Sequence, residues 1–387
     1  MKKYALYVIL ILFFSCCSDE NLNTDKKIHL DFSEKLDSIP IDSILVSMEL
    51  VPLELTEKSA IGSPRKFLHV DSFYFFLDSK PISLIQFSES GNFIRRIGKR
   101  GNGPYEFRLL TDFVLNPFTQ NIDLLDPTGK IISYNYRQNQ FVDEKNLDFS
   151  NSDLRAVHSM MNLSHNIVLL HSKSDRYQLH WYDLYKEQLI KSDFKRKYDF
   201  GINSLVSLKR YNNKVYFINI FDYSLYEINE KNFILVKELD LDDLDYRSNS
   251  RIEQFTFEKR SETNYDEANM VFKENKTVFP FLNFFLGMHS ISFYRNNKVV
   301  TLKIDEHGEN HKLVRFLDSQ ANEINTAMYE SEKFVYGWIM NASDYKSYFP
   351  KTFLTRNNLE ILHGWTPGDN PILIKYFIDV KNSIQAE

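Results

Sequence analysis

One aspartate returns four times along this chain, and its spacing constrains the fold more than any other feature. Asp78, Asp126, Asp175 and Asp222 stand 48, 49 and 47 residues apart, each at the same point of a recurring pattern. Phe76-Leu77-Asp78 leads into Ser83-Leu84-Ile85-Gln86-Phe87 and then Gly91-Asn92-Phe93-Ile94. Leu124-Leu125-Asp126 leads likewise into Lys130-Ile131-Ile132-Ser133-Tyr134 and then Asn139-Gln140-Phe141-Val142. The same order surrounds Asp175 and Asp222. Each unit is a set of short alternating strands separated by turn residues, the signature of antiparallel β structure.

A four-stranded unit of this length cannot bury both of its faces alone, so several must stack around a ring. The chain is therefore expected to be all-β, a propeller of four-stranded antiparallel blades. Ile44 to Leu55, ahead of the first clear repeat, is expected to pair with Pro371 to Ile378, so that strands from both chain ends close the ring. The repeat fades after Leu241, and residues 242–277 read as a polar insertion carrying some helix. Period alone leaves room for six blades plus this insertion or for seven tight ones.

The N-terminus reads as an address. Lys2 and Lys3 precede the apolar run Tyr4 to Phe14, which ends in Phe13-Phe14-Ser15-Cys16. The run is shorter than the roughly 20 residues a membrane-spanning helix needs, and a small residue directly before a cysteine marks a lipoprotein cleavage site. Residues 1–15 are thus expected to be a leader, with Cys16 as the lipid-carrying first residue of the mature chain. Residues 16–26 form its tether, 27–380 a single propeller domain and 381–387 a tail. One acyl chain binds a membrane reversibly, whereas two or three hold a protein there almost permanently. Ser18-Asp19-Glu20 resembles the acidic surface-export signal of Bacteroidetes lipoproteins, which places the protein at the outer membrane of the cell envelope.

Composition removes several kinds of chemistry. Cys16 and Cys17 are the only cysteines, so the domain after them can hold no disulfide, thiol nucleophile or cysteine-ligated metal. With 43% apolar residues, 32 Phe and 22 Tyr, the chain can build a large core without disulfides. Its net charge of −5 becomes more negative once Lys2 and Lys3 leave with the leader, which argues against nucleic acid as a partner.

Ile97-Gly98-Lys99-Arg100-Gly101-Asn102-Gly103-Pro104-Tyr105-Glu106-Phe107 closely resembles the IGxxGxGPxEF signature of the six-bladed β-propeller lipoproteins of Bacteroidetes, relatives of NHL-repeat propellers. Val51-Pro52-Leu53-Glu54 and Gly368-Asp369-Asn370-Pro371-Ile372-Leu373-Ile374 also sit where that family has similar motifs. The resemblance implies six blades, one built from both chain ends. It implies no reaction, because the family shares a fold and no catalytic residues.

Candidate sites are few. Four of the 12 glycines fall within the 13 residues from Gly91 to Gly103, beside Arg95, Arg96, Lys99 and Arg100. An anion nest would use that arrangement, but GxxGxGP is neither a P-loop nor a dinucleotide motif, and a tight connection between blades is the favoured reading. Arg100 and Glu106 are its candidate binding residues. His158, His165, His171 and His180 cluster in one repeat, yet alternation does not put them on one face and no metal is expected. Asp240, Asp242, Asp243 and Asp245 lack the EF-hand pattern and read as a solvated turn. The recurring aspartates read as a repeated structural hydrogen bond. Among Trp181, Trp338 and Trp365, the last lies in turn-rich sequence and is the best candidate for stacking on a ligand.

The favoured function is a non-catalytic binding or scaffold module on a lipid anchor, engaging a glycan, peptide or envelope protein, with no cofactor beyond the lipid on Cys16. The alternative is a lyase or hydrolase acting on an extracellular polymer at the channel mouth. A third reading makes the insertion at 242–277 the contact of an envelope complex, removable without loss of the fold.

Overall fold

The computed structural model describes residues 26–32, 37–40, 45–150, 154–199, 207–274, 278–282, 290–295, 298–304, 311–317, 329–330, 334–340, 349 and 353–378. Cys16, the leader and the tether up to residue 25 lie outside them. The strands assemble in chain order into six sheets of four or five strands. The first runs Pro64–Val70, Phe73–Ser79, Ile82–Ser88 and Phe93–Ile97. The second runs Asp112–Leu115, Ile122–Asp126, Lys130–Asn135 and Gln140–Asn146, and the third Ser159–Asn162, Ile167–His171, Tyr177–Asp183 and Gln188–Lys195. The fourth runs Leu208–Tyr211, Lys214–Asn219, Ser224–Ile228 and Phe233–Asp240, and the fifth Pro280–Leu282, Ser290–Arg295, Lys298–Ile304 and His311–Leu317. In the sixth, Tyr329–Glu330, Phe334–Ile339 and Ile372–Ile378 are joined by Leu45–Pro52, which pairs antiparallel with Ile372–Ile378. The architecture is an all-β propeller of four-stranded antiparallel blades.

Two sheets depart from the expected four strands. Lys27–His29 adds to the fourth sheet, parallel to Phe233–Asp240, and Asp37–Pro40 adds to the fifth, parallel to His311–Leu317. The physical reason is edge protection: an outer strand presents unpaired backbone groups, and a passing segment of the same chain satisfies them. Ile28, Leu30 and Phe32 are buried in the process, and Phe32 meets the Phe293 ring at 5.4 Å.

Burial follows position within the sheet. Middle strands such as Phe73–Ser79 and Ile122–Asp126 are buried on both faces, because each blade has a neighbour on either side. Outer strands such as Gln140–Asn146 are mostly exposed. The core is a series of layers between sheets. Phe75 and Leu84 pack with Phe113 and Leu124, Leu125 with Met160 and Val168, and Trp181 with Phe217. Ile218 packs with Phe293, and Phe67 and Tyr74 with Tyr336 and Leu373, so the sixth sheet lies against the first. Each fully buried Leu or Phe contributes about 1.5–3 kcal/mol, which makes these layers the main source of stability without disulfides. A register shift recurs between third and fourth strands at Gln86/Phe87, Ser133/Tyr134, Trp181/Tyr182 and Leu225/Tyr226. Such bulges increase local twist, as fanning blades require.

The segment expected to be a polar insertion holds short 3₁₀ turns and the helix α1, Tyr265–Glu274. Its polar residues face out, while Tyr246, Ile252, Phe255, Ala268, Val271 and Phe272 join the core layer between the fourth and fifth sheets. Removing it would open that layer, so the expectation of a dispensable segment is corrected by its packing.

Candidate functional site

Three of the recurring aspartates pin the chain just ahead of the first strand of their own sheet. Asp78 accepts the amides of Gly62 (2.9 Å) and Ser63 (2.6 Å), just ahead of the first strand of its own sheet. Asp126 accepts those of Arg108 (2.7 Å) and Leu109 (3.1 Å), and Asp175 those of Arg155 (3.2 Å) and Ala156 (3.4 Å). Burial alone would raise the Asp126 pKa, but bonds from Thr128, Leu109 and Arg108 override it and hold the group below the ordinary carboxylate range. The repeated structural bond expected from the sequence is thus present in three sheets. Asp222 bonds Asn219, Ser224 and Tyr226 instead.

The first strand of the second sheet touches that of the third, and the third that of the fourth, which places these strands toward the ring axis. At their starting ends, charged groups from three sheets meet. A register shift between Pro64 and Lys66 makes Arg65 an extra residue, and a bulge of this kind re-aims the side chains beside it. Lys66 Nζ lies 2.6 Å from Asp112 Oδ1, whose residue is only 3% exposed. Asp112 also accepts from the amides of Phe113 and, across the sheet boundary, Met160, each at 2.9 Å. Two residues before Met160, His158 Nδ1 accepts from the amide of Lys173 at 3.2 Å. Arg196 closes the patch, donating to the carbonyls of Asp175 and Ser172, each at 3.2 Å. Burial lowers the pKa of His158, Lys173 and Arg196, the last to about 10, and nearby Arg65 adds to the effect on His158 and Lys173.

The glycine connection between the first and second sheets satisfies itself. Gly98 has φ +72°, and a Cβ there would meet Leu124 and Phe107 at 2.9 and 3.1 Å. Glu106 accepts from Lys99 Nζ (2.6 Å) and from the Gly103 amide (3.0 Å), and it lies so close to Gly101 that a Cβ would stand 1.9 Å from its Oε2. Arg100 Nε donates to the carbonyl of Arg108 at 3.2 Å. Trp365 lies elsewhere, after the helix α2, Arg356–Gly364, half-buried against the sixth sheet with its Nε1 donating to the Asn370 carbonyl at 3.0 Å. The three candidate binding residues therefore occupy two separate elements. Trp181 is buried with Nε1 on the Asn229 carbonyl, and Trp338 packs near Phe76.

His171 and His180 are held within the protein. His171 contacts Ser159 Oγ through Nδ1 (3.1 Å), and His180 contacts Ser192 Oγ (2.8 Å) and the Tyr177 carbonyl (3.0 Å). Burial pushes His171 well below the ordinary histidine value and His180 down to about 4. His165 is exposed with its ring 5.3 Å from that of Phe118, and His307 lies outside the described residues. Among the described residues, His29, Asp240 and Asp242 form one trio with metal-ligand spacing. Lys27 Nζ sits 3.0 Å from Asp240 Oδ2, however, so an ammonium already occupies that carboxylate. At the other end of the third and fourth sheets, a cavity of about 530 Å³ is lined by Arg210, Asn213, Lys214, Glu227 and Lys231 among others. There Lys214 and Glu227 pair at 2.8 Å.

Arg65, Lys66, Asp112 and Lys173 escape sequence reasoning. The one available signal is a charge at the start of an otherwise apolar inner strand, which only the fold makes informative.

A family model described as a domain of unknown function, DUF4934, matches residues 26–377. The fold is similar to that of a Bacteroides fragilis protein provisionally named an exported protein, with a TM-score of 0.66, 16% identity, and coverage of 92% of this chain and 99% of that one. A DUF4221 family member from Bacteroides vulgatus gives a TM-score of 0.45 at 13% identity, covering 86% and 98%. The extracellular domain of a one-component system from B. thetaiotaomicron gives 0.42 at 14% identity, covering 80% of this chain and 37% of that one. No curated protein matches the sequence. Among the described residues, no helix is long and apolar enough to cross a membrane.

Proposed function

The chain belongs to the DUF4934 family, and we propose that it is a non-catalytic binding module of the cell envelope, held to the outer membrane by lipid on Cys16. In this reading the six sheets form a complete six-bladed ring, with Leu45–Pro52 joining the last blade to the chain's beginning. The ligand is received at the starting ends of the first strands of sheets one to three.

One observation carries the preference for binding over catalysis: the acid–base groups at this mouth are committed to the fold. Asp112 holds Lys66, Phe113 and Met160, Asp175 holds Arg155, Ala156 and Ser172, and His158 Nδ1 is occupied by the Lys173 amide. General acid–base catalysis needs a group within reach of the substrate and tuned near the operating pH, whereas burial lowers His158 and spends the carboxylates.

The test is thermal denaturation of the chain from Ser18 onward against glycans and peptides. A ligand bound only by the folded state, at a hundredfold excess over Kd, adds about 2.7 kcal/mol of stability. A raised midpoint with the ligand recovered chemically intact supports the proposal. Ligand cleaved during the incubation would overturn it in favour of a lyase or hydrolase.

A further inference from the structure

We propose that the cavity between the third and fourth sheets, at the ends opposite the mouth, binds a sugar that carries a carboxylate, with Arg210 receiving the carboxylate. This site goes beyond the binding reading above: it shares no residue with the mouth, and either can fail without the other. Three turns enclose the space. Leu163 comes from the turn after Ser159–Asn162, Asn213 from the turn between Leu208–Tyr211 and Lys214–Asn219, and Lys231 from the turn before Phe233–Asp240. Val215 and Ile228, 2% and 3% exposed, supply an apolar part of the lining. The volume of about 530 Å³ falls inside the roughly 300–1,000 Å³ of small-molecule sites.

Arg210 selects the charge. Half-buried on the inner strand of the fourth sheet, it donates through Nη1 to the Asn213 carbonyl at 3.1 Å and through Nη2 to the Asn162 carbonyl across the sheet boundary. Both acceptors are neutral, and among the described residues no carboxylate pairs with this guanidinium. Glu227, which also lines the cavity, is taken by Lys214 at 2.8 Å. Burial lowers the Arg210 pKa, with no neighbouring charge to offset it. A guanidinium has more N–H donors than these two bonds use. A partly desolvated cation without a counterion is costly, and a carboxylate meeting its planar fork forms a strong, bidentate pair.

The remaining lining suits hydroxyls. Asn213, Asn229, Glu230 and Lys231 are exposed at the rim and offer donors and acceptors side by side. A hydroxyl donates and accepts at once, so a ring of them can use such a mixed set. An inorganic anion would meet Arg210 and leave the rim unused, and a densely anionic chain would be repelled by Glu230. One carboxylate on a polyhydroxylated body matches both parts.

The experiment is calorimetric titration of the chain from Ser18 onward, at fixed ionic strength, with galacturonate, with galactose and with an acetylated dipeptide ending in a free carboxylate. Saturable binding of galacturonate is expected, at least tenfold tighter than that of the other two. Arg210→Gln should lower the affinity at least tenfold, and Arg210→Lys, which keeps the charge and loses the fork, should fall between. Because Arg210 also ties two sheets together, Lys231→Glu serves as a second probe. This reversal lies on an exposed turn, so it should weaken binding severalfold at an unchanged melting temperature. Arg356→Gln, on the exposed side of α2 beside the sixth sheet, should leave affinity within a factor of two. Equal binding of galactose overturns the role of the carboxylate, and tighter binding of the dipeptide overturns the sugar. Affinity that survives both Arg210→Gln and Lys231→Glu places the sugar elsewhere and removes the site, as does the lack of saturable binding. The mouth reading fails on a different result, the absence of any glycan or peptide that raises the melting midpoint.

Discussion

The glycine connection at residues 98–107 and the mouth at the first three inner strands teach opposite lessons about where function can be read. The connection is conspicuous in sequence, with clustered glycines, cations and a glutamate. In the fold, Lys99, Gly103 and Glu106 satisfy one another and Arg100 turns back onto Arg108. The mouth has no motif at all. Its members come from residues as far apart as Arg65 and Arg196, and meet only because successive blades start at a common rim. A dense local motif is more readily a solution to a backbone problem, whereas a site on a propeller is assembled from single residues of several repeats.

Asp112→Ala should separate the two regions most strongly. It leaves the Lys66 ammonium and the Phe113 and Met160 amides without their acceptor at a position 3% exposed. Loss of one partner from such a site costs about 3 kcal/mol, readable as a lower urea midpoint. A near-neutral result would mean that the mouth is not held by this carboxylate.

Acid should loosen the mouth before the connection. His158, His171 and His180 are all held below the ordinary histidine value by burial, His180 at about 4. Their folded pKa lies below the unfolded one, so their stabilisation is complete above about pH 6.5 and is lost as pH falls from there. Each contributes a slope of about 1.4 kcal/mol per pH unit while the unfolded chain is protonated and the native group is not. Asp123, whose pKa burial raises, works in the opposite direction. Glu106 is held below the ordinary glutamate value by Lys99 and the Gly103 amide, so its contacts should outlast the histidines. Hydrogen exchange from pH 7.5 to 5 should show protection falling first in residues 158–180. Simultaneous loss at 98–107 would remove the contrast.

Gly98→Ala comes next. A positive φ costs an L-residue about 1–2 kcal/mol, and the added methyl must displace Phe107 and Leu124. A loss of about 2 kcal/mol, with ligand binding by the folded protein unchanged, would mark the connection as structural.

The same physics decides how much was legible beforehand. The period of Asp78, Asp126, Asp175 and Asp222 exposed the strand pattern because a repeated unit needs a repeated bond, and in three sheets the fold supplies it. The pairing of Leu45–Pro52 with Ile372–Ile378 followed from two unpaired strands at the chain ends. The added strands Lys27–His29 and Asp37–Pro40 were not legible, since three or four residues carry no usable alternation. The burial of Tyr246 and Phe255 was hidden by charged neighbours such as Arg247 and Glu253, which occupy the outer side of the same short turns. Trp365 stood out by composition, yet its indole nitrogen is committed to Asn370.

Glu106→Gln should have the smallest effect and is the most direct probe of the contrast. Lys99 is largely exposed, so their pairing is screened by solvent and by salt. A glutamine keeps an oxygen able to accept from the Gly103 amide, so the turn retains its inner bond while losing the charge. The urea midpoint should stay close to that of the parent chain in both low and high salt, and the affinity for any glycan or peptide that raises the parent's melting midpoint should not change. If affinity instead moves severalfold, the charge of Glu106 reaches the ligand. The connection and the mouth would then be two parts of one electrostatic surface, and the separation drawn between motif and site would fail.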